Sequence, residues 1–188
     1  NQNNIKIING IEVEEYIENN TNCTIKLSNG FCFKTNKLLI ATNGFANQLI
    51  PELNIKPARA QVLVTKPIEN LKVKGTFHLE EGYYYFRNIG NRILLGGGRN
   101  LAFEEETTTK IATTQLIQDK LDFLLKNIII PNQTPEIEYR WAGIMGVGTE
   151  KKPIVKQLSN NVFCGVRLGG MGVAIGSLIG EELANLIE

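Results

Sequence analysis

The chain has a single histidine, His78, a single tryptophan, Trp141, and only three cysteines, and its charge is nearly cancelled, with 20 Lys and Arg against 19 Asp and Glu. Each scarcity removes a class of chemistry. No Ser/His/Asp constellation, no His/Cys cluster at metal-ligand spacing and no phosphate-binding P-loop occurs, so hydrolase and metalloenzyme readings have no residues to rest on and no metal is expected. A net charge of +1 with scattered basic residues offers nucleic acid no electrostatic footprint. No apolar run reaches the roughly 18 residues of a membrane span. The opening NQNNIKIING lacks the basic start and apolar centre of a signal peptide, so a cytoplasmic setting is expected. The chain opens on Asn1 rather than Met and enters a strand-like pattern within a few residues, which reads as a piece of a longer protein.

The cysteines, Cys23, Cys32 and Cys164, are odd in number. In a hairpin turning at Asn29-Gly30, Cys32 falls opposite Leu27, four residues or about 13 Å of strand from Cys23, too far for a disulfide. All three are expected to be reduced.

What is present is a soluble, globular composition, 43% hydrophobic over 188 residues, enough for one or two cores. The first third runs through short strand-like segments, IKII, IEVEEYI, CTIKLS, FCFKT and KLLIAT, with Asn9-Gly10 and Asn29-Gly30 placed where hairpins favour left-handed residues, and is expected to form a meander of antiparallel strands with KLLIAT as its last member. KLLIAT is the most continuously apolar and reads as covered on both faces. A short helical segment, FANQLIPEL, follows. ARAQVLVTKPI, GYYYFRN and NRILLGGG are further strands, and TTTKIATTQLIQDKLDFLLKNI carries one helical stripe through Ile111, Ile117, Leu121, Leu124, Leu125 and Ile128, with Thr residues to cap it. After a loop marked by Pro131 and Pro135 come EIEYRWAGIMG, the strand NNVFCGV and a terminal helix whose apolar residues, from Val173 to Ile187, imply that it is largely buried. This mixed order predicts an α+β fold.

Several stretches invite a functional reading. The terminal RLGGMGVAIG resembles a dinucleotide loop, but a dinucleotide fingerprint needs a second strand about 20 residues on, and a Rossmann NAD enzyme needs a βαβ unit that is missing here. Glycines at a helix start let other atoms approach the backbone and leave N–H groups and the positive dipole end facing an electron-rich partner; the alternative is close helix-on-strand packing alone. KLLIATNGF ends in small residues where backbone passes near a bound nucleotide, or makes a plain turn. In GYYYFRN a regular strand puts Tyr83 and Tyr85 on one face and Tyr84 and Phe86 on the other, either walling a pocket or half-burying a strand. Gly96, Gly97 and Gly98 leave room for a ligand or a bend. A redox role needs a borrowed cofactor.

The order of these segments is more specific than any one of them. LLIATNGF, PARAQVLVTKPI, YYYFR with NRILLGGGRN, a long helix, RWAGIMG with KPIV, and VFCGVRLGGMGVAIGSLIGEELANLI resemble the C-terminal two thirds of an FAD-dependent oxidoreductase of the D-amino-acid oxidase and glycine oxidase type, over essentially the whole chain. The resemblance implies parts of an FAD-binding domain at 1–57 and 140–188 and an antiparallel substrate-binding domain with a long helix at 58–139. Thr42, Asn43 and Gly44 match the strand end near the FAD, and Gly169, Gly170, Met171, Gly172 and Val173 the turn that faces the flavin. Tyr84, Tyr85 and Arg87 match the strand that contributes pocket residues. In amino-acid oxidases WAG continues Leu-Arg-Pro, and that arginine clamps the substrate carboxylate; here Met145 stands in its place, which points to an amine, a secondary amine or a substrate held by another arginine, Arg167 or Arg99. The implied reaction oxidises the C–N bond of a small amine or amino acid by hydride transfer to flavin N5. The implied partner is that small molecule alone, and the competing class is a non-catalytic binding module of the same architecture. The family's N-terminal dinucleotide loop has no counterpart here, so these 188 residues alone are expected to hold FAD weakly and to be inactive.

Overall fold

Val13–Glu18 (β1), Cys23–Leu27 (β2), in which polar and apolar residues alternate, and Cys32–Thr35 (β3) form an antiparallel meander in the computed structural model, which describes residues 5–131 and 133–187. Between β2 and β3 the Leu27 N–H donates to the Phe31 carbonyl, closing a three-residue turn with Gly30 left-handed at φ 84°. That turn is one residue longer than Asn29-Gly30 alone, so Cys32 pairs with Lys26 rather than Leu27, and Cys23 with Thr35. All three cysteines are free. The expected strand at IKII does not form: residues 5–8 are irregular, and Ile5, Ile7 and Ile8 are exposed.

Leu38–Ile40 (β4), expected to close the meander and to be covered on both faces, instead pairs in parallel with Val162–Val166 (β11) and leaves Leu39 exposed; β11 pairs antiparallel with Ile154–Gln157 (β10). Every residue of β11 is buried, as expected for a strand covered on both faces. The helix α2, Gly172–Asn185, lies on it through Ile179 and Leu183, and Gly165 permits this: a Cβ there would sit 3.0 Å from Leu183 Cδ2. Contrary to the expectation of a largely buried helix, only that i, i+4 stripe is covered, and Val173, Leu178, Leu186 and Ile187 are exposed. Ala46 and Ile50, from the 3₁₀ turn Asn43–Gln48 and the residues after it, join Cys23, Ile40, Val162, Cys164 and Val166 in this core.

A second core forms around the five-stranded sheet of Lys56–Thr65 (β5), Thr76–Leu79 (β6), Tyr84–Ile89 (β7), Arg92–Gly97 (β8) and Ile137–Val147 (β9), in the order β6-β7-β8-β5-β9. Leu63, Tyr84, Phe86, Ile93 and Leu95 pack against Ile117, Leu121, Leu124 and Leu125 of the helix α1, Gln115–Leu124, and its continuation. The sequence places this helix from Thr107, but it begins eight residues later. Thr114 is extended, its N–H donates to Gln61 Oε1 (2.9 Å), and its hydroxyl accepts from Gln61 Nε2 (2.9 Å). Glu106 is held by Arg59 at 2.7 and 2.9 Å. A polar cluster thus claims the threonine run, which as β-branched residues has little helical preference to set against it. The residues through Ile55 with those from Gly146 onward form one compact unit, and Lys56–Met145 another. No helix among the described residues is long and apolar enough to cross a membrane.

Candidate functional site

The first unit brings two sequence-predicted segments together through one side chain. Asn43, after β4, is left-handed at φ 45°, a conformation asparagine tolerates better than most residues. Its Oδ1 accepts the Leu168 N–H at 3.0 Å, and a Cβ at Gly146 would lie 2.8 Å from that same oxygen, so glycine at 146 keeps the space that the amide occupies. Gly169 N–H donates to the Gly146 carbonyl at 2.9 Å. Thr42, Asn43 and Gly44 are therefore fixed against the turn that leads into α2.

In that turn Arg167, Gly169 and Gly170 are left-handed at φ 63°, 58° and 84°, and Met171 N–H closes onto the Leu168 carbonyl at 2.8 Å. Apart from its chain neighbours, no described residue lies within 4 Å of where a Gly169 Cβ would be. Met171 precedes α2 without a side-chain cap, so the N–H groups of Gly172 and Val173 have no intrahelical acceptor. With the positive end of the helix dipole behind them, they are donors for an electron-rich oxygen or ring edge. Thr42 also lines a concavity of about 360 Å³ with Ile11, Glu12, Val13, Phe45 and Gln48. No motif in the sequence joins Ile11–Val13 to Phe45, which is why that grouping was not foreseen.

Arg167 does not stand free for a ligand. It is buried, its Nε donates to the Lys152 carbonyl at 2.8 Å and its Nη1 to the Asn54 carbonyl at 3.3 Å, and Glu150 lies 3.6 Å from Nη2. Its guanidinium ties two loops of its own unit together.

In the second unit the two faces of β7 part company. Tyr84 is fully buried against α1, with its hydroxyl unpaired, so its side chain belongs to the core rather than to a substrate pocket. Tyr85 and Arg87 lie on the opposite face, where the pairing register aligns Val62, Gly96, Tyr85 and His78 in one row and Val64, Leu94, Arg87 and Thr76 in the next. Tyr85 is half-buried and its hydroxyl has no hydrogen-bond partner among the described residues. Burial pushes the phenol above its ordinary pKa, so at neutral pH it is an uncharged donor and acceptor. Arg87 is exposed and unpaired among the described residues. Arg99 stacks on Phe103 at 4.7 Å, and Met145 is half-buried near the end of β9.

Residues 1–186 match the family described as FAD dependent oxidoreductase, DAO. The chain belongs to this family. Among solved structures it is similar to L-proline dehydrogenase from P. horikoshii, with a TM-score of 0.78 and 21% identity over 94% of this chain and 49% of that one. It is likewise similar to glycine oxidase from Geobacillus kaustophilus, with a TM-score of 0.77 and 16% identity over 94% and 48%. Iminodiacetate oxidase from a Chelativorans species gives a TM-score of 0.76 and 16% identity over 95% and 48%. The chain thus spans about half the length of the solved DAO-type structures it matches. No curated protein matches its sequence. The α+β fold expected from the sequence is the fold these DAO-type structures share with it.

Proposed function

We propose that this DAO-family chain belongs to an FAD-dependent oxidoreductase that oxidises the C–N bond of a small amine or amino acid. The observation that carries the reading is the Asn43-fixed turn, which presents the uncapped N–H groups of Gly172 and Val173 beside the end of β4. When bound, FAD supplies the hydride acceptor that no protein side chain provides. This donor set fits it: backbone N–H groups on a helix terminus suit an electron-rich ring, and Gly169 leaves the approach open. Thr42, Asn43, Gly44, Gly169, Gly170, Met171, Gly172 and Val173 are its holding residues in this unit.

For the substrate, the neutral Tyr85 phenol offers a hydrogen bond and Arg87 a fork for a carboxylate. Met145 leaves the position of the family's clamp without a cation, and Arg167 is engaged within its own unit, so Arg87 is the cation to which an acidic substrate group is assigned. Tyr84 and Arg167 act by supporting the fold. The reaction asks the chain to position the substrate and exclude water rather than to supply a strong base; the imine product then hydrolyses in water. The names of the structural neighbours, a dehydrogenase of proline and oxidases of glycine and iminodiacetate, support this substrate class. These 188 residues on their own are proposed to hold FAD weakly.

The test is the visible spectrum of the purified full-length protein. Flavin bands that bleach anaerobically with an amine or amino acid are the expected outcome. A protein that stays colourless after FAD is added overturns the reading in favour of a non-catalytic binding module.

A further inference from the structure

We propose that Gly96 is a positioning residue for the Tyr85 phenol. Residue 96 falls on the sheet face turned away from α1, directly between Val62 of β5 and Tyr85 of β7. A Cβ at Gly96 would lie 2.6 Å from the Tyr85 hydroxyl and 2.7 Å from its Cζ, and would also press on Val62 Cγ1. The tyrosine ring therefore lies down across β8, in space that any other residue at 96 would fill. Strand side chains ordinarily stand roughly perpendicular to their sheet, so the vacant Cβ position is what lets this ring lie over its neighbour.

The backbone gives no other reason for this glycine. Gly97 and Gly98 are left-handed, at φ 123° and 87°, and a Cβ at Gly97 would collide with the Tyr83 carbonyl, so those two serve the bend at the strand end. Gly96 is not among the left-handed residues, and what requires it is the space shared by the Tyr85 ring and Val62. The seat carries the phenol oxygen over β8 toward β5, with no partner among the described residues and with Arg87 two positions along on the same face. A hydrogen-bonding substrate group therefore meets the hydroxyl at a place that Gly96 sets. The role in the reaction rests on the proposed function; the seat itself does not.

An added methyl meets both groups, Val62 Cγ1 the nearer, so the part due to the phenol is isolated by making Gly96→Ala in a Val62→Ala background, where Tyr85, presenting the far end of a flexible side chain, is the group displaced. The experiment uses the full-length protein labelled at tyrosine Cζ, followed by carbon NMR against pH, with Tyr85→Phe assigning the Tyr85 signal. In Gly96→Ala that signal is expected to move and its titration midpoint to fall toward the ordinary tyrosine value. KM is expected to rise by about three- to tenfold, the worth of one hydrogen bond, with a smaller change in kcat. In a Tyr85→Ala background Gly96→Ala is expected to add nothing to KM. An unmoved Tyr85 signal, or a KM effect that persists in full without the tyrosine ring, overturns the proposal. If Gly96→Ala is unstable, the comparison is made with Val62→Ala present throughout, where recovery of its thermal midpoint on adding Tyr85→Ala supports the seat and no recovery overturns it. A protein without flavin defeats the functional reading, and the NMR result still decides the seat.

Discussion

Asn43 and Arg167 are both left-handed residues whose side chains hold main-chain groups, and this makes them separable by mutation from a residue that meets substrate. Asn43→Ala removes the acceptor for Leu168 N–H and places a Cβ-bearing residue without Asn's tolerance at φ 45°. Its expected cost is about 1–3 kcal/mol in urea unfolding, with weaker flavin retention. Asn43→Gly relieves the backbone but not the lost acceptor, and should fall between the two. Arg167→Met should lower the thermal midpoint, because two carbonyls lose their donor, and leave KM of the flavin-loaded fraction within about twofold, since it removes no substrate contact. Arg87→Met should do the reverse, raising KM for a carboxylate substrate at an unchanged midpoint; equal effects on stability from both would defeat this assignment. The turn around Gly169 and the Asn43-Gly44 pair were legible in the sequence because left-handed positions call for those residue types. Alternation gave the two faces of Tyr84 and Tyr85 but not which face a helix would cover, which depends on apolar positions more than thirty residues away. The partners of Arg167 are carbonyls, and a carbonyl has no signature in sequence.

The cluster of Arg59, Gln61, Glu106 and Thr114 is where a long-range interaction displaced a local one. Of the expected stripe, Ile117, Leu121, Leu124 and Leu125 are buried together while Ile111 and Ile128 are exposed, and periodicity could not foresee that Gln61, fifty-three residues upstream, takes the Thr114 N–H and delays the helix start past Ile111. The strands β1 to β3 and β11 were legible from pattern and turn residues, but the reading of cover on both faces fell on KLLIAT and belongs to β11, and β6 and β10 are four-residue strands too short to carry a period. Removing one partner of the buried pair leaves Arg59 uncompensated, so Glu106→Gln is expected to cost about 3–5 kcal/mol at pH 7 by urea denaturation. Burial by itself would push the Glu106 carboxyl up, but the hydrogen bonds from Arg59, Gln61 and Thr114 and the charge of Arg59 outweigh it, and the carboxyl sits below its ordinary value. A carboxyl depressed in the folded state contributes stability above its unfolded pKa, about 4.3. That contribution is lost as pH falls through the folded value. The wild type should therefore lose stability on acidification below about pH 4.5, more steeply than Glu106→Gln. Parallel acid profiles for the two proteins would show that the pair contributes nothing to the pH dependence.

At the scale of the whole chain, the surface of α2 and the share of the DAO structures covered bear on the same question. Of the apolar residues on and after the start of α2, Ile179 and Leu183 are buried, while Val173 is fully exposed at 107% and Leu178 at 53%. The matched DAO structures are about twice the length of this chain, which covers 49% of the proline dehydrogenase and 48% of the glycine oxidase. Val173 at the head of α2 is open to solvent, and on the proposed function a hydrogen bond from this helix N-terminus to a ligand then competes with water and yields little. A ligand that binds only the folded state stabilises it by RT ln(1 + [L]/Kd), about 2.7 kcal/mol at a hundredfold excess over Kd. Full-length protein stripped of flavin should thus show a thermal midpoint that climbs with FAD concentration. The 188-residue chain, at the same concentrations, should show a far smaller shift and elute colourless from a desalting column. Replacing Gly169 with valine in the full-length protein tests the link between the two observations, because a branched side chain at φ 58° is strained and fills the open approach to the helix N-terminus. It should flatten the FAD-dependent climb to that of the short chain. A short chain that is yellow as purified, or a valine variant that climbs as the wild type does, would show that the helix N-terminus is not what holds the flavin.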